Sequence, residues 1–179
     1  ASINEALTEI SEKKIDILVN SAGIYFEERL ENMTDLSFEE IFGTNVKGTL
    51  LLTKACLSLM RDGSIVNISS DAGISGNYGC PLYCASKGAV VALTKALALD
   101  LAPKIRINCI CPADVDTPLL TKQLLACDGG YTKEDMAQAY PLGRIGRAEE
   151  IAHMICSIAS PCNSFMTGSI ISVDGGITA

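Results

Sequence analysis

Short apolar segments rich in β-branched residues alternate along this chain with longer segments of helical periodicity. The short segments read KKIDILVN, GSIVNIS, KIRINCI and SIISVDGG. Strands that are apolar without in-and-out alternation are typical of parallel sheets covered on both faces, and the intervening helices make the crossovers. The 179 residues therefore predict an α/β fold with a doubly wound parallel sheet, in one domain or part of one.

Two predicted helices, at about residues 37–60 and 83–102, are apolar over more than one face. A helix that lies on a sheet needs only one apolar face, so something else must cover the remaining apolar surface. We expect a partner subunit, which would make the protein a homo-oligomer, either a dimer or a tetramer. Close packing against a neighbouring helix of the same chain is the alternative explanation.

Composition argues against several classes of function. A formal net charge of −7 disfavours a nucleic-acid-binding surface and an anionic membrane surface. The chain has no apolar run long enough to span a membrane and no cationic leader, so we expect a soluble, cytoplasmic protein. The eight cysteines form no C-x-x-C pair and the single histidine is His153, so no metal site is expected. We expect reduced thiols that act as small buried hydrophobic residues.

The segment YCASK places a phenol and an ammonium, Tyr83 and Lys87, one turn apart on the same face of a predicted helix. Ser70 lies at the end of the second strand, where ligands bind in open α/β sheets. A nearby ammonium lowers the pKa of a phenol from its usual value of about 10, and such a tyrosine can act as a general acid or base. The spacing alone also fits a partly exposed tyrosine beside a solvated lysine.

The whole chain resembles the classical, single-domain type of the short-chain dehydrogenase/reductase family, which has a Rossmann-like fold. The matching segments follow the family's order and spacing: ILVNSAG, TNVKG, IVNISS, YCASK, RINCICPADVDTP, PLGRIGRAEEIA and GSIISVDGG. A Tyr-x-x-x-Lys pair alone would be a weak signal. Together with Ser70, Asn45 and the VDGG ending, the resemblance is specific.

The resemblance implies an NAD(P)-dependent oxidoreductase that interconverts a small alcohol and a ketone by hydride transfer. Tyr83 would be the catalytic acid/base, and Ser70 would hydrogen-bond the substrate oxygen. Lys87 would lower the Tyr83 pKa and bind the nicotinamide ribose, and Asn45 would hold a water that links Lys87 to solvent. Residues 118–140 would form a substrate lid.

The same resemblance implies contacts with NAD or NADP beyond those of Tyr83 and Lys87. One group of residues would lie along the adenosine half of the cofactor and a second group would meet the nicotinamide end. The first group is Asn20, Ala22 and Gly23, and the second is Pro112, Val115 and Thr117.

The family's first segment, a strand followed by a glycine-rich T-G-x-x-x-G-x-G turn, does not occur in this sequence. We therefore interpret residues 1–179 as the C-terminal, catalytic portion of the domain, and expect IDILVN to be an exposed edge strand. A truncated, non-catalytic relative that serves as an oligomer subunit is an alternative. An extended sugar-nucleotide epimerase is a third possibility, which the VDGG ending and the lack of a large C-terminal domain disfavour.

Overall fold

A computed structural model describes residues 3–8, 14–126 and 132–179, and in them helices alternate with strands. The helices are α1 (Ile3–Thr8), α2 (Asp35–Phe42), α3 (Thr49–Cys56), α4 (Pro81–Leu101), α5 (Pro118–Ala126), α6 (Lys133–Ala137) and α7 (Ala148–Ala159). The strands are β1 (Ile17–Asn20), β2 (Gly63–Ile68), β3 (Ile105–Pro112), β4 (Val115–Asp116), β5 (Gly146–Arg147) and β6 (Ile170–Val173). The four strands that the sequence predicts are β1, β2, β3 and β6. The strands β4 and β5 were not predicted, and they form a short parallel pair of their own.

The four longer strands form one parallel sheet in the order β1–β2–β3–β6. Apolar cores lie on both faces of this sheet, which is why β3 is buried along nearly its whole length. The core on the side of α3 and α4 contains Cys56, Met60, Ile65, Ala98, Ile105 and Ile107. The core on the side of α7 contains Val66, Ile110, Ile158 and Ala159. The predicted doubly wound parallel sheet is confirmed.

Strand β1 forms one edge of this sheet, as the sequence predicts. Two of its apolar side chains are open to solvent, with Ile17 51% exposed and Val19 36% exposed. An edge strand with exposed apolar side chains is a template for pairing with another strand.

A row of buried polar side chains crosses the sheet from β1 to α4. Asn20 donates from Nδ2 to Asn67 Oδ1 at 2.8 Å and to Thr53 Oγ1 at 2.9 Å. Asn67 in turn donates from Nδ2 to Thr94 Oγ1 at 2.9 Å. All four side chains are buried, so these groups satisfy one another where water cannot. Within the described chain, Asn20 Oδ1 is left without a partner.

The helix predicted at residues 37–60 is a continuous helical stretch from Asp35 to Leu59. It begins two residues earlier than predicted because Thr34 and Ser37 form a capping box. Ser37 N donates to Thr34 Oγ1 at 3.1 Å, and Thr34 N donates to Ser37 Oγ at 3.0 Å. The stretch contains a π-helical segment, Gly43–Gly48, and segments of this kind are frequent at functional sites.

Helix α4 is long and apolar enough to cross a membrane, judged by length and mean hydropathy alone. Its buried side nevertheless carries Ser86, Lys87 and Thr94, so we interpret it as a helix that packs on the sheet. Apolar side chains on α2, α3 and α4 that are between 40% and 83% exposed are Leu36, Phe38, Leu50, Leu51 and Leu99. Packing within the described chain therefore leaves much of this apolar helix surface uncovered.

Arg106 of β3 holds the C-terminal end of α7 against the sheet. Its guanidinium donates four hydrogen bonds of 3.0–3.2 Å to backbone carbonyls at Ile158, Ala159, Ser160 and Met166. Because the carbonyl end of a helix carries partial negative charge, a cation at this position is stabilising.

Seven described cysteines have free thiols, and Cys127 lies outside the described residues. The expectation that the cysteines are buried is wrong for Cys156 and Cys162, both of which are exposed. Helix α7 buries a stripe that includes Ile155 and Ile158, and Cys156 lies off that stripe.

Candidate active site

Parallel strands bring their carboxyl ends to the same edge of the sheet, and the candidate site lies at that edge. Ser70 is the second residue after β2 and is buried. Its hydroxyl caps a short 3₁₀ turn by accepting from Ala72 N at 3.2 Å, and it donates to Asp71 Oδ1 at 2.7 Å. The oxygen of Ser70 is thereby fixed at the end of the strand.

Tyr83 and Lys87 lie in the first two turns of α4, which Pro81 begins at its first position. The hydroxyl of Ser70 interacts with that of Tyr83, and this contact lowers the Tyr83 pKa. Burial has the larger and opposite effect, and with Asp71 nearby it raises the pKa of Tyr83 to about 12. The expected lowering of the Tyr83 pKa below its usual value is therefore wrong for this state of the protein.

The ammonium of Lys87 lies beside Tyr83, and burial shifts the pKa of both groups. Lys87 Nζ lies over the Tyr83 ring, 5.7 Å from the ring centroid, and donates to Ile68 O at 3.2 Å. Burial also lowers the pKa of Lys87 to about 8, because an ammonium loses hydration inside the protein. Both groups are thus more nearly neutral at physiological pH than they would be in water.

Asn45 lies in the π-helical segment and ties three elements together. Its Oδ1 accepts from Ile24 N at 2.8 Å, and its Nδ2 donates to Ile24 O at 3.0 Å and to Ser86 Oγ at 3.0 Å. The side-chain amide therefore anchors the loop after β1 to α4.

Gly23 provides the space in which Asn45 and Lys87 meet this loop. A Cβ at this position would lie 3.3 Å from Asn45 Oδ1 and 3.4 Å from Lys87 Nζ. Lys87 Nζ can donate three hydrogen bonds and makes one within the described chain, so donors remain for a ligand beside the glycine. A buried ammonium with donors to spare fits the hydroxyl groups of a ribose, as the resemblance implies for NAD or NADP.

Asn20, predicted to contact the cofactor, has its side chain turned into the sheet, where it is bonded to Asn67 and Thr53. The amide nitrogen is therefore used within the sheet, whereas Asn20 Oδ1 has no partner among the described residues, and the cofactor contact of Asn20 stays a prediction. Ala22 is exposed and Gly23 is half-buried in the loop that follows.

The other predicted cofactor residues follow β3. Pro112 ends that strand and is buried, Val115 is half-buried in β4, and Thr117 is half-buried before α5. The predicted lid, residues 118–140, contains the short helices α5 and α6, and its residues 127–131 lie outside the described chain.

Three further residues border the site that the sequence did not single out. Tyr25 packs edge-on against Tyr83, with 4.8 Å between ring centroids. Ser86 is the side-chain partner of Asn45, and Tyr140 donates to Asp114 Oδ2 at 2.7 Å. Ser86 lies inside the YCASK segment and Tyr140 is the last residue of the predicted lid, whereas Tyr25 carried no sequence signal. Across the described ranges, no group of three or more His, Cys, Asp or Glu residues could hold a metal ion.

Comparisons with known proteins agree with this geometry. The profile of the family described as enoyl-(acyl carrier protein) reductase matches residues 1–178. The 3-oxoacyl-[acyl-carrier-protein] reductase FabG of Thermotoga maritima is 37% identical over 98% of this chain and 72% of its own length. The inactive 2-(S)-hydroxypropyl-CoM dehydrogenase 2 of Xanthobacter autotrophicus is 40% identical over 90% of this chain and 73% of its own. The structure of ElxO with NADP bound superposes with a TM-score of 0.89 at 34% identity, covering 98% of this chain and 73% of that one.

Proposed function

Because the chain belongs to the short-chain dehydrogenase/reductase family, we propose that it carries the catalytic part of an NAD(P)-dependent oxidoreductase that interconverts an alcohol and a ketone. One observation carries the proposal: the hydroxyl groups of Ser70 and Tyr83 interact at the carboxyl end of β2, beside the buried ammonium of Lys87. NAD(P), when bound, supplies or accepts the hydride. The residues of this chain then have to bind the substrate oxygen and move one proton.

Tyr83 is the proton donor in carbonyl reduction and the proton acceptor in alcohol oxidation. A phenol with a pKa of about 12 is protonated at neutral pH, which suits donation to a carbonyl oxygen that gains electron density. Ser70 holds the same substrate oxygen once its single hydroxyl proton turns to that oxygen from Asp71 Oδ1, to which it donates in this structure. When the hydroxyl groups of Ser70 and Tyr83 both hydrogen-bond the substrate oxygen, they fix the orientation of the carbon that carries it.

Lys87 binds ribose hydroxyl groups through its remaining N–H donors, and Asn45 keeps the loop at Gly23 against α4 so that this site persists. Asn45 Oδ1 has a second lone pair with which to hold a water beside Lys87. The exposed apolar surfaces of α2, α3 and α4 suit a second copy of the chain, so we propose a homo-oligomer. Sedimentation of the protein as a monomer at micromolar concentration would contradict that assembly.

The test is the Tyr83→Phe substitution in the protein that contains this chain, with Tyr78→Phe as the matched control. Tyr78 is 86% exposed and its hydroxyl accepts from Arg29, so the control removes a hydroxyl away from the proposed chemistry. With NADH or NADPH and a panel of small ketones, Tyr83→Phe should lower kcat about 10²–10⁴-fold. Unchanged turnover in Tyr83→Phe would refute the acid/base role.

A non-catalytic role is distinguished by the same assay when cofactor binding is measured separately. An oligomer subunit without activity would show no turnover in the unsubstituted protein, and Tyr83→Phe would then change nothing further. The separate measurement of cofactor binding is needed because one protein similar to this chain is named an inactive dehydrogenase. The polar residues Asn45, Ser70, Tyr83 and Lys87 are all present in this chain, and nothing in the site favours the non-catalytic alternative.

A further inference from the structure

Two pairs of cysteines have adjacent sulfur atoms, and the proposed function uses neither pair. Cys80 Sγ and Cys84 Sγ are 3.9 Å apart at the start of α4, and Cys109 Sγ and Cys111 Sγ are 4.0 Å apart in β3. We propose that Cys80 and Cys84 form a redox-reactive dithiol, which disulfide oxidants of the glutathione class convert to an intramolecular disulfide that alters the candidate active site. The effect on the active site rests on the proposed function, whereas the oxidation of Cys80 and Cys84 does not.

The first pair has the geometry that a disulfide needs. Cys80 caps α4 and Cys84 lies one turn further on, with Cys84 N donating to Cys80 O at 3.0 Å. Residues one helical turn apart have Cα atoms about 6 Å apart, which is within the range that disulfides span. The sulfur atoms must approach by about 1.9 Å, and side-chain rotation at the end of a helix can supply this movement.

Accessibility separates the two pairs although their sulfur distances are nearly equal. Cys84 is half-buried and lies beneath a loop, residues 74–78, whose residues are exposed. Cys109 and Cys111 are 0% exposed in a central strand whose ladder holds them in place. An oxidant of the size of glutathione disulfide can therefore reach the first pair and not the second.

The reaction proceeds by two exchanges that balance. The Cys84 thiolate attacks one sulfur of glutathione disulfide, which forms a mixed disulfide and releases one glutathione thiolate. Cys80 then attacks the Cys84 sulfur, which closes the protein disulfide and releases the second glutathione. Two thiol sulfurs of the protein are oxidised, the oxidant's S–S bond is reduced, and the two protein protons pass to the glutathione thiolates.

The order of the two exchanges follows from the surroundings of each sulfur. Burial, followed by the charge of Cys84, raises the pKa of Cys80 to about 12, which makes Cys80 the poorer first nucleophile. Once Cys84 is in a mixed disulfide it carries no charge, so its contribution to this pKa ends. Cys80 then becomes easier to ionise at the step where its attack is needed.

The disulfide changes the loop that leads into α4 through the backbone of Asn77. The thiols of Cys80 and Cys84 donate to Asn77 O at 3.7 Å and 3.8 Å, and Asn77 N donates to Cys84 Sγ at 3.4 Å. A disulfide has no S–H group, so Asn77 O loses both donors. The adjoining residues Asn77, Tyr78, Gly79 and Pro81 line an open cleft of about 400 Å³.

Tyr25 connects the dithiol to the candidate site. Its hydroxyl interacts with Cys80, and its ring packs on the ring of Tyr83. Movement of Cys80 toward Cys84 therefore changes the packing around the proposed proton donor. Displacement of catalytic groups by about 1 Å can lower turnover by roughly 10²-fold, so we expect at least a tenfold loss of kcat/KM on oxidation.

The reaction is tested in the protein with Cys127, Cys156 and Cys162 replaced by Ser, which leaves the two pairs and Cys56. The protein is treated with glutathione disulfide, alkylated and digested with trypsin, which yields residues 62–87 with one pair and residues 107–122 with the other. We expect the peptide 62–87 to lose two hydrogen atoms and escape alkylation, and the peptide 107–122 to stay reduced. Equal oxidation of both peptides, oxidation of neither, or glutathione retained on Cys84 would overturn the inference.

The effect on activity is measured on the same samples before and after dithiothreitol. The fall in kcat/KM should reverse with the reductant and should be absent when Cys80→Ser or Cys84→Ser is treated in parallel. If the disulfide forms and kcat/KM is unchanged, the link to the site is wrong. If the reduced protein has no turnover at all, the proposed function fails, and the peptide masses still decide whether the dithiol reacts.

Discussion

Gly73 is the position at which the smallest possible substitution should disturb the candidate site most. It lies in the turn between Ser70 and α4, and an added Cβ would lie 2.6 Å from Ser69 Oγ, 2.8 Å from Lys87 C and 2.9 Å from Lys87 O. Two of these neighbours are backbone atoms of α4, which cannot rotate away. The Gly73→Ala substitution must therefore push the turn away from Lys87 or displace the helix.

The cost follows from two contributions. Overpacking by one carbon against a rigid neighbour costs about 1–3 kcal/mol. Ser69 Oγ donates to Lys87 O at 2.8 Å, and a shift of either atom weakens a buried hydrogen bond worth about 1 kcal/mol. Gly73→Ala should therefore lower the free energy of unfolding by about 2–4 kcal/mol, which for a chain of this size lowers Tm by roughly 10 °C.

Gly76→Ala is the matched control in the same loop. A Cβ at Gly76 meets no atom within 4 Å, so its substitution should change the free energy of unfolding by less than about 0.5 kcal/mol. Urea unfolding followed by circular dichroism gives both values, with equal m-values as the check on two-state behaviour. Equal stability of Gly73→Ala and Gly76→Ala would refute the close approach of this turn to Lys87, and with it the basis for the positions of Ser70 and Lys87.

Three further outcomes can be measured. Burial lowers the pKa of Lys87 to about 8, so between pH 8 and about 10 the unfolded chain binds a proton at Lys87 that the folded chain does not. The free energy of unfolding, measured relative to that of Lys87→Met, should therefore rise with pH by up to about 1.4 kcal/mol per pH unit in this range. A difference between the two proteins that does not change with pH in urea titrations would contradict this. Because burial raises the pKa of Tyr83 to about 12, kcat/KM for alcohol oxidation should rise from pH 7 to 10 without a plateau, and a plateau below pH 9 would refute that environment. Arg106→Met keeps the stem of the side chain and removes four hydrogen bonds to carbonyls, so it should cost about 3 kcal/mol, measured by thermal unfolding against Arg61→Met, whose side chain is exposed.

The sequence predicted the sheet correctly because each strand is an apolar run that only a doubly covered parallel sheet can bury. It placed Ser70, Tyr83 and Lys87 together because strand ends and helix starts meet at one edge in such a sheet. Helix limits were less accurate. The capping box at Thr34 and Ser37 moved one start by two residues, and the π-helical segment at Gly43–Gly48 has no period that distinguishes it from an α-helix in sequence.

Electrostatics could not be derived from spacing. One turn between Tyr83 and Lys87 fixes their separation along the helix, whereas the Tyr83 pKa is set mainly by burial, which spacing does not show. The contact with Tyr25 joins residues distant in sequence, which periodicity does not encode. Asn20 was assigned to the cofactor because the resemblance gives a role by position, and its hydrogen bonds to Thr53 and Asn67 within the sheet had no sequence signal.

The paired amides of Asn20 and Asn67 also decide how β1 and β2 align. A parallel pair of apolar strands could slide by two residues and still bury the same kinds of side chain, because every second residue faces the same way. In the observed register Asn20 stands opposite Asn67, and any slide would break the hydrogen bond between them and leave Asn67 Oδ1 in the core without its donor. Two polar side chains thus make one alignment of otherwise interchangeable strands far more favourable than its neighbours.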